Sequence, residues 1–366
     1  GMKLRLTGGG RCNITNNRDI EEFFDKIVNN KKFLYSALYT FSNYSLLEYF
    51  SNNGLEYKVE LDEKVYTKSD KADEVIELLR NDLEKNKVKV RYNTMICDLV
   101  VEDGTIKGVT TSYGEKILGD KVIITTGGKS FPHTGSDGAM YEILEKHGHT
   151  ITPIHAALIP LVIKEEFVKK LQGVAMKDVV VSAKLKKKKI EKFGDMLFTH
   201  FGISGPAVLK LSSYISKALS EGEVEVTLDF LKDKSKDEIS QIIRSNPNKT
   251  VLNNLKGVLP QNFLKVVFEM LDLTEVKSSD LKKEDENKII EYMKEMKLTA
   301  RETLSIKAAQ VTSGGVKVKE INASTMESKI IKKLYFAGEV IDIDAETGGY
   351  NLQMAFSTGY LAGSDF

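Results

Sequence analysis

A run of apolar residues in the first half of the chain, Lys121-Val-Ile-Ile-Thr-Thr, does not alternate with polar positions and ends in Gly127-Gly128. A strand with one face in water alternates, whereas a strand buried on both faces reads as a continuous apolar run, as in parallel sheets. Ligands of open α/β sheets bind at the carboxyl ends of such strands. The run therefore predicts an α/β fold with a ligand loop after this strand. The alternative is an ordinary strand-to-loop corner.

The residues before this strand contain a helical region and a meander. Apolar residues recur at helical spacing over 19–54, and the β-rich segment 88–92 predicts a strand. The pairs Asp103-Gly104 and Tyr113-Gly114 separate β-rich runs and are typical of hairpin turns. We therefore expect antiparallel strands to lead into the buried strand.

The residues after this strand change composition twice. Segment 156–230 is rich in strand-forming residues, whereas 232–296 is charged and has helical spacing. Strand and turn patterns then return up to Gly338, and a final helix follows. The order α/β, β, α and again α/β predicts a nucleotide-binding type of domain interrupted by insertions.

Composition narrows the class of protein. The 366 residues include 41% apolar residues, 53 basic and 52 acidic side chains, so a disordered chain is excluded and a polyanion partner is not expected. Only Cys12 and Cys97 are cysteines, which fits a reducing compartment. No run approaches the ~20 apolar residues of a membrane span. We predict a cytoplasmic protein with a small-molecule substrate and neither a nucleic acid nor a membrane partner; the oligomeric state stays open.

The first of four glycine-bearing loops is Thr7-Gly-Gly-Gly-Arg-Cys-Asn13. Glycines allow backbone amides to approach an anion, and Arg11 can add a charged fork for phosphate. A flexible turn explains the same residues equally well. The loop is therefore a candidate anion site.

The last loop carries the most information. A short strand ends at Gly338-Glu339, the pair Gly348-Gly349 follows, and a helix begins near Asn351. Free N–H groups at a helix start face anionic or electron-rich ligands, and the helix dipole assists. This arrangement favours a binding function over a purely structural one. The remaining glycine loop, Ser313-Gly-Gly-Val316, predicts only a turn.

Four segments together resemble a known family. They begin at Leu6, Thr126, Leu197 and Tyr335 and read LTGGGRCN, TGGKSFPHTG, LFTHFGISGP and YFAGE followed by TGGYNLQ. They are similar to the bacterial NAD(FAD)-utilising dehydrogenase-like flavoproteins, also called aminoacetone oxidase-family FAD-binding enzymes, which include a bile-acid 4,6-enoyl reductase.

The resemblance implies a fold and its division into domains. The fold is a glutathione-reductase-like FAD-binding α/β domain with an inserted β-barrel-like domain and a helical subdomain. The expected bounds are 1–157 plus 311–366 for the FAD-binding domain, 158–231 plus 297–310 for the β-rich domain and 232–296 for the helical subdomain.

It also implies which residues meet FAD. The first loop would line the cofactor with Gly8, Gly9, Gly10, Arg11, Cys12 and Asn13. Thr126, Gly127 and Gly128 would lie near it, and the backbone of Met95 would meet adenine. Gly338 and Glu339 would contact the ribityl-phosphate region. The pyrimidine edge would face Gly348, Gly349, Tyr350, Asn351, Leu352 and Gln353.

One departure from the family pattern concerns the N-terminus. Family members open on a βαβ unit with Gly-x-Gly-x-x-Gly, whereas this sequence enters the pattern just before its triple-glycine loop. We hypothesise that the start was assigned at an internal methionine and that roughly 30 to 40 residues are absent. The expected FAD domain is therefore N-terminally truncated.

The predicted function is an FAD-dependent oxidoreductase. NADH or NADPH would pass hydride through the flavin to a small organic acceptor, with enones as a family-level candidate. His200, in a loop rich in glycine, could donate a proton to the substrate, although it could equally hold its loop by hydrogen bonding. No metal site is predicted. An RNA-acting flavoprotein and a redox-inactive scaffold or binding protein are the alternatives.

Overall fold

The computed structural model of the protein describes residues 1–186 and 188–364. The chain divides into two compact units. The first unit contains Gly1–His155 and the chain from Ile306 onward, and the second unit contains Ala156–Ser305. In the described residues, no helix is long and apolar enough to cross a membrane.

The helices of the described chain differ widely in length. In chain order they are α1 (Met2–Leu6), α2 (Ile20–Phe23), α3 (Tyr35–Thr40), α4 (Asn43–Asn52), α5 (Ala72–Lys85), α6 (Ala139–Lys146), α7 (Pro206–Leu219), α8 (Lys236–Ile243), α9 (Val251–Asn254), α10 (Gln261–Leu271), α11 (Lys283–Lys294) and α12 (Tyr350–Gly363).

The strands are mostly short. They are β1 (Thr15–Asn16), β2 (Tyr57–Val59), β3 (Lys64–Thr67), β4 (Ile96–Glu102), β5 (Thr105–Thr111), β6 (Lys116–Leu118), β7 (Val122–Ile124), β8 (His155–Ala157), β9 (Leu161–Ile163), β10 (Ala175–Leu185), β11 (Lys188–Phe198), β12 (Gly202–Ser204), β13 (Val224–Asp229), β14 (Met296–Thr303), β15 (Val311–Ser313) and β16 (Leu334–Phe336).

A parallel strand pair organises the first unit. β7 pairs with β16 in the register Val122↔Leu334 to Ile124↔Phe336, and all three residues of β16 are buried. The N–H of Ala337 then donates to the carbonyl of Ile124 at 3.1 Å. The loops that follow the two strands consequently leave the sheet side by side.

The predicted meander is confirmed as the antiparallel sheet β4-β5-β6, and its two turns lie at the predicted glycine pairs. The predicted strand at 88–92 is wrong. These residues do not form a strand, and Val90 and Tyr92 are exposed. β-branched residues favour an extended backbone, but a strand also needs a neighbour that accepts its hydrogen bonds.

The second unit is built on a closed six-stranded barrel with the strand order β10-β11-β12-β9-β14-β13. α7 begins at Pro206, whose fixed φ suits the first helical position, and packs against β10 and β11. Helices α8 to α11 are inserted between β13 and β14. α8 begins at a capping box formed by Ser235 and Glu238.

Candidate functional site

Three loops of the first unit meet where β7 and β16 end. Thr312 on β15 connects them, since its Oγ1 accepts from the N–H groups of Lys129 at 2.8 Å and Ser130 at 3.0 Å. A Cβ on Gly128 would lie 2.3 Å from that same Oγ1. Only glycine therefore allows the loop after β7 to approach β15 this closely.

Glu339, three residues after the end of β16, completes this polar cluster. Its Oε1 accepts from the Thr312 N–H at 2.7 Å and from Ser130 Oγ at 3.1 Å, and its Oε2 pairs with Lys3 Nζ. Both members of the ion pair are largely shielded, with 25% of the Lys3 side chain and 21% of the Glu339 side chain exposed. The carboxylate thus fixes three chain segments at the edge of the site.

The start of α12 is attached to the segment that follows the triple-glycine loop. Asn16 Nδ2 donates to the Gly348 carbonyl at 3.0 Å, and Thr15 Oγ1 donates to Gln353 Oε1 at 2.7 Å. With its amide oriented so that both atoms are satisfied, Asn13 accepts from the Gly349 N–H at 3.0 Å. The first and last glycine loops are thereby brought together.

The first turn of α12 presents unused backbone donors. The N–H groups of Tyr350, Asn351 and Leu352 have no intrahelical partner, because a helix leaves its first N–H groups free. The Asn351 side chain binds the loop that precedes the helix, because its Nδ2 donates to the carbonyls of Ala345 at 2.8 Å and Glu346 at 3.2 Å. The preceding loop is therefore fixed while the helix start keeps its positive dipole end.

A cavity of about 170 Å³ borders this helix start and Glu339. Its charged lining residues are Lys3 and Glu339. Its apolar walls consist of Leu4, Val311, Ile343, Leu352, Met354 and Ala355. Apolar walls with a few polar groups are typical of sites for organic ligands.

The cavity's chemistry fits part of a flavin nucleotide. A planar apolar ring system matches the aliphatic walls, and its electron-rich edge suits helix-start amides. The volume is below the roughly 300–1,000 Å³ of sites that enclose a whole drug-sized ligand. The cleft therefore suits one ring system of a dinucleotide.

A buried carboxyl lies in the loop before α12. Asp344 is fully buried, and its Oδ1 accepts from Asn29 Nδ2 at 2.6 Å and Ser313 Oγ at 3.1 Å. Its Oδ2 has no hydrogen-bond partner among the described residues. Burial raises the pKa of Asp344 to about 7, and the nearby carboxylates of Asp342 and Glu339 act in the same direction.

Two residues of the first loop have interactions other than those expected from sequence. The Arg11 guanidinium donates to the carboxylates of Glu60 and Asp70 and lies 3.9 Å from the centre of the Tyr66 ring. Cys12 is fully buried, and burial raises the pKa of its thiol to about 11. The structure thus shows Arg11 bound to carboxylates and Cys12 in a core.

Other predicted residues differ in where they lie. Gly338 and Glu339 line the cavity together with Asn351 and Leu352, whereas Tyr350 and Gln353 are buried and are not among its lining residues. Met95 precedes the meander, is 64% exposed, and its carbonyl accepts from the Ser112 N–H. His200 lies in the second unit, exposed at the turn between β11 and β12, with its ring against Phe201.

Four polar residues at or near this cluster were not predicted as site residues from the sequence: Lys3, Ser130, Thr312 and Asp344. Ser130 and Thr312 adjoin glycine pairs that had been singled out, so their position next to those turns was the available signal. Nothing in the sequence pattern distinguishes Asp344 from the neighbouring acidic residues. Its burial follows only from the packing of 28–29 and 313 around it.

Glu339→Gln should destabilise the first unit by about 1–2 kcal/mol, because a partly buried charged hydrogen-bond network loses its anion beside Lys3. Urea unfolding of the variant, of Lys3→Met and of the double variant gives the coupling energy. Glu115→Gln, at an exposed pair with Arg91, is the matched control and should cost below about 1 kcal/mol. Equal losses of unfolding free energy in Glu339→Gln and Glu115→Gln would contradict a special role for Glu339.

Comparisons with known proteins cover essentially the whole chain. The family model described as HI0933-like protein Rossmann domain matches residues 1–365. A 3-dehydro-bile acid delta(4,6)-reductase of Clostridium scindens is 34% identical over 375 residues, covering 99% of this chain and 89% of that protein. A ribosomal RNA dihydrouridine synthase of Escherichia coli K12 is 29% identical over 370 residues, covering 100% of this chain and 89% of that protein.

Among solved structures, E. coli quinol fumarate reductase is similar at 13% identity and a TM-score of 0.46. The match covers 99% of this chain and 62% of that one, so this chain spans less than two thirds of its length. Nothing further follows from a likeness this low.

Proposed function

This chain belongs to the HI0933-like Rossmann-domain family and is an FAD-dependent oxidoreductase, and from this premise we propose that it reduces a carbon–carbon double bond conjugated to a carbonyl group. We propose NADH or NADPH as the electron donor. In the net reaction, one hydride reaches the β-carbon of the acceptor and one proton its α-carbon, while the nicotinamide is oxidised.

The names of two relatives support this reaction class. A delta(4,6)-reductase of a 3-dehydro-bile acid acts on double bonds conjugated to the 3-oxo group. A dihydrouridine synthase forms a product that lacks the uracil double bond conjugated to the C4 carbonyl. Both names imply a carbon–carbon double bond conjugated to a carbonyl group. The reaction is therefore the property that the two names share, whereas the size of the substrate differs.

The observation that carries the proposal is the apolar cavity bordered by the first turn of α12. FAD, when bound, would supply the hydride chemistry. Glu339, Gly338 and the N–H groups at the start of α12 are the groups that would hold it. Those N–H groups would stabilise negative charge on the bound ring system, and Leu352 and Ile343 would exclude water from it.

His200 is the proposed proton donor to the acceptor. Its support is chemical, since it is an exposed imidazole at a turn and imidazole is the side chain that most often serves as a general acid. We expect His200→Gln to lower turnover at least about ten-fold without changing FAD affinity, within the range of general acid catalysis. Unchanged turnover would remove His200 from the reaction.

The central experiment measures the transfer of electrons from the nicotinamide to FAD and from FAD to the acceptor. The full chain is mixed with FAD, freed of excess cofactor, and reduced anaerobically with NADH or NADPH. Addition of a 3-oxo-4,6-diene steroid acid should then restore the oxidised flavin spectrum and give a product with one carbon–carbon double bond fewer for each flavin reoxidised. A protein that takes up FAD but is not reoxidised by any conjugated carbonyl compound would contradict the proposal.

A second acceptor, uridine in ribosomal RNA, is favoured by the E. coli relative. The same reduced protein is therefore given a ribosomal RNA transcript without its natural modifications. Dihydrouridine formation without reduction of the steroid would identify the RNA as acceptor. The opposite result would favour the small molecule.

A further inference from the structure

The hairpin formed by β10 and β11 has an unusual concentration of positive charge. Residues 184–192 contain six lysines and one glutamate, whereas the whole chain has a formal net charge of only +1. Lys184, Lys186, Lys188 and Lys189 are exposed in the structure. We call these four residues the lysine tip.

The register of the hairpin places like charges opposite each other. Lys184 pairs directly with Lys189 across the two strands, and the neighbouring pair is Leu185↔Lys188. Like charges directly opposite in an antiparallel pair are destabilising. Glu191 binds Lys189 at 2.6 Å and compensates only part of this charge. The folded hairpin thus bears a local cost that a bound anion would relieve.

Beyond the lysine tip, the outward face of β11 carries Glu191, Phe193 and Asp195, and one further cation approaches it from β13. Phe193 lies two positions beyond Glu191 on this face and is 43% exposed. Lys232, which follows β13, lies 3.5 Å from the centre of the Phe193 ring. The lysine tip and Lys232 together offer several separated cations, which suit a ligand with repeated phosphates better than a single small anion.

We propose that the lysine tip is a contact surface for the phosphate backbone of RNA. The inference rests on the second acceptor proposed above, uridine in ribosomal RNA, and adds the part of the chain that would bind the strand. It opposes the sequence-based expectation of no nucleic acid partner. That expectation used the net charge of the chain, whereas phosphate binding depends on local charge.

The test uses the full chain and a fluorescein-labelled RNA stem-loop of about 40 nucleotides, with affinity measured by fluorescence anisotropy. If all four lysines contact phosphates, the logarithm of affinity should fall with the logarithm of salt concentration with a slope of about −3. Binding should thus weaken about fifty-fold between about 50 and 200 mM KCl. Replacing the four lysines of the tip by glutamine should lower affinity at least about ten-fold and flatten that slope.

A matched control changes the same number of charges elsewhere in the second unit. Lys256, Lys265, Lys277 and Lys282 are exposed on the helical part, and their replacement by glutamine should alter RNA affinity less than about two-fold. Equal weakening in both quadruple variants would overturn the proposal. So would absent binding by the unchanged protein, or equally tight binding of a DNA duplex or of phosphatidylserine vesicles.

Thermal unfolding first establishes that both quadruple variants fold. Reoxidation by the steroid enone, measured on the same proteins, keeps this proposal separate from the proposed function. Enone reduction without RNA binding would reject the lysine tip and leave the function standing. RNA binding through the tip without reduction of any conjugated acceptor would reject the proposed function and leave the lysine tip as an RNA-binding surface.

Discussion

Replacing Gly349 by alanine should destabilise the first unit by at least about 3 kcal/mol and weaken FAD binding more than about a hundred-fold. Gly349 precedes α12 with φ +94°, a conformation that side chains of L-residues rarely adopt. A Cβ there would lie 2.3 Å from the carbonyl carbon and oxygen of Thr15. Because these contacts are with backbone, no side-chain rotation can relieve them.

The same substitution would displace the backbone amides that border the cavity. To accept the methyl group, the segment 13–16 must move away from the start of α12, which breaks the bonds from Asn16 to Gly348 and from Thr15 to Gln353. The amides that border the cavity would then lose their position. Stability and cofactor affinity should therefore fall together.

Thermal unfolding and FAD titration measure both effects. A loss of about 3 kcal/mol corresponds to a decrease in melting temperature of about 6–12 °C for a unit of this size. Gly359→Ala is the matched control, since Gly359 lies inside α12 and a Cβ there would contact nothing within 4 Å. This control variant should leave the free energy of unfolding unchanged or raise it by up to about 1 kcal/mol. Similar losses in both variants would refute this account.

Asp344→Asn should make the protein more stable than the unchanged chain at pH 8, by about 2–4 kcal/mol. The ordinary pKa of an aspartate is 3.8, and burial raises that of Asp344 to about 7. Between these values the folded chain holds a proton that the unfolded chain has released. The free energy of unfolding of the unchanged chain therefore falls as pH rises from about 4 to about 7. Above about pH 7 it stays at the lower value, because Asp344 is then ionised in both states.

Asparagine removes this dependence because its amide is neutral at every pH. Its side-chain oxygen can still accept from Asn29 and Ser313. Free energies of unfolding measured in urea between about pH 4 and 8 should converge for the two proteins at the acidic end and diverge toward the basic end. Asp120→Asn, at an exposed position, is the control. A variant profile parallel to that of the unchanged chain would contradict the raised pKa.

The candidate site shows why only part of it could be predicted. Gly127, Gly128, Gly338 and Gly349 stand out in the sequence because each lies next to an apolar strand or a helix start. Thr312 and Asp344 have no such signal. Thr312 lies 182 positions from Ser130, and its role depends on which strands become neighbours.

Arg11 illustrates the same difference. Its residue type suits phosphate, and the sequence cannot show that Glu60 and Asp70 lie within hydrogen-bond distance of its guanidinium. Tertiary structure alone places those carboxylates around it. Residue chemistry thus limits what a side chain can bind, and packing decides which partner it has.

The sequence by itself determined the local features of this protein: the strand at 122–124, the meander turns, the succession of α and β segments and the helix start after Gly349; of that strand, Ile124 is buried and Val122 and Ile123 are only half-buried. These depend on periodicity and on backbone preferences within a few residues. Only the tertiary structure decided that β7 pairs with β16, that segment 13–16 holds the start of α12 and in which order the barrel strands pair. Such contacts join residues far apart in the chain, and their energy comes from burial and hydrogen bonds that no local pattern encodes.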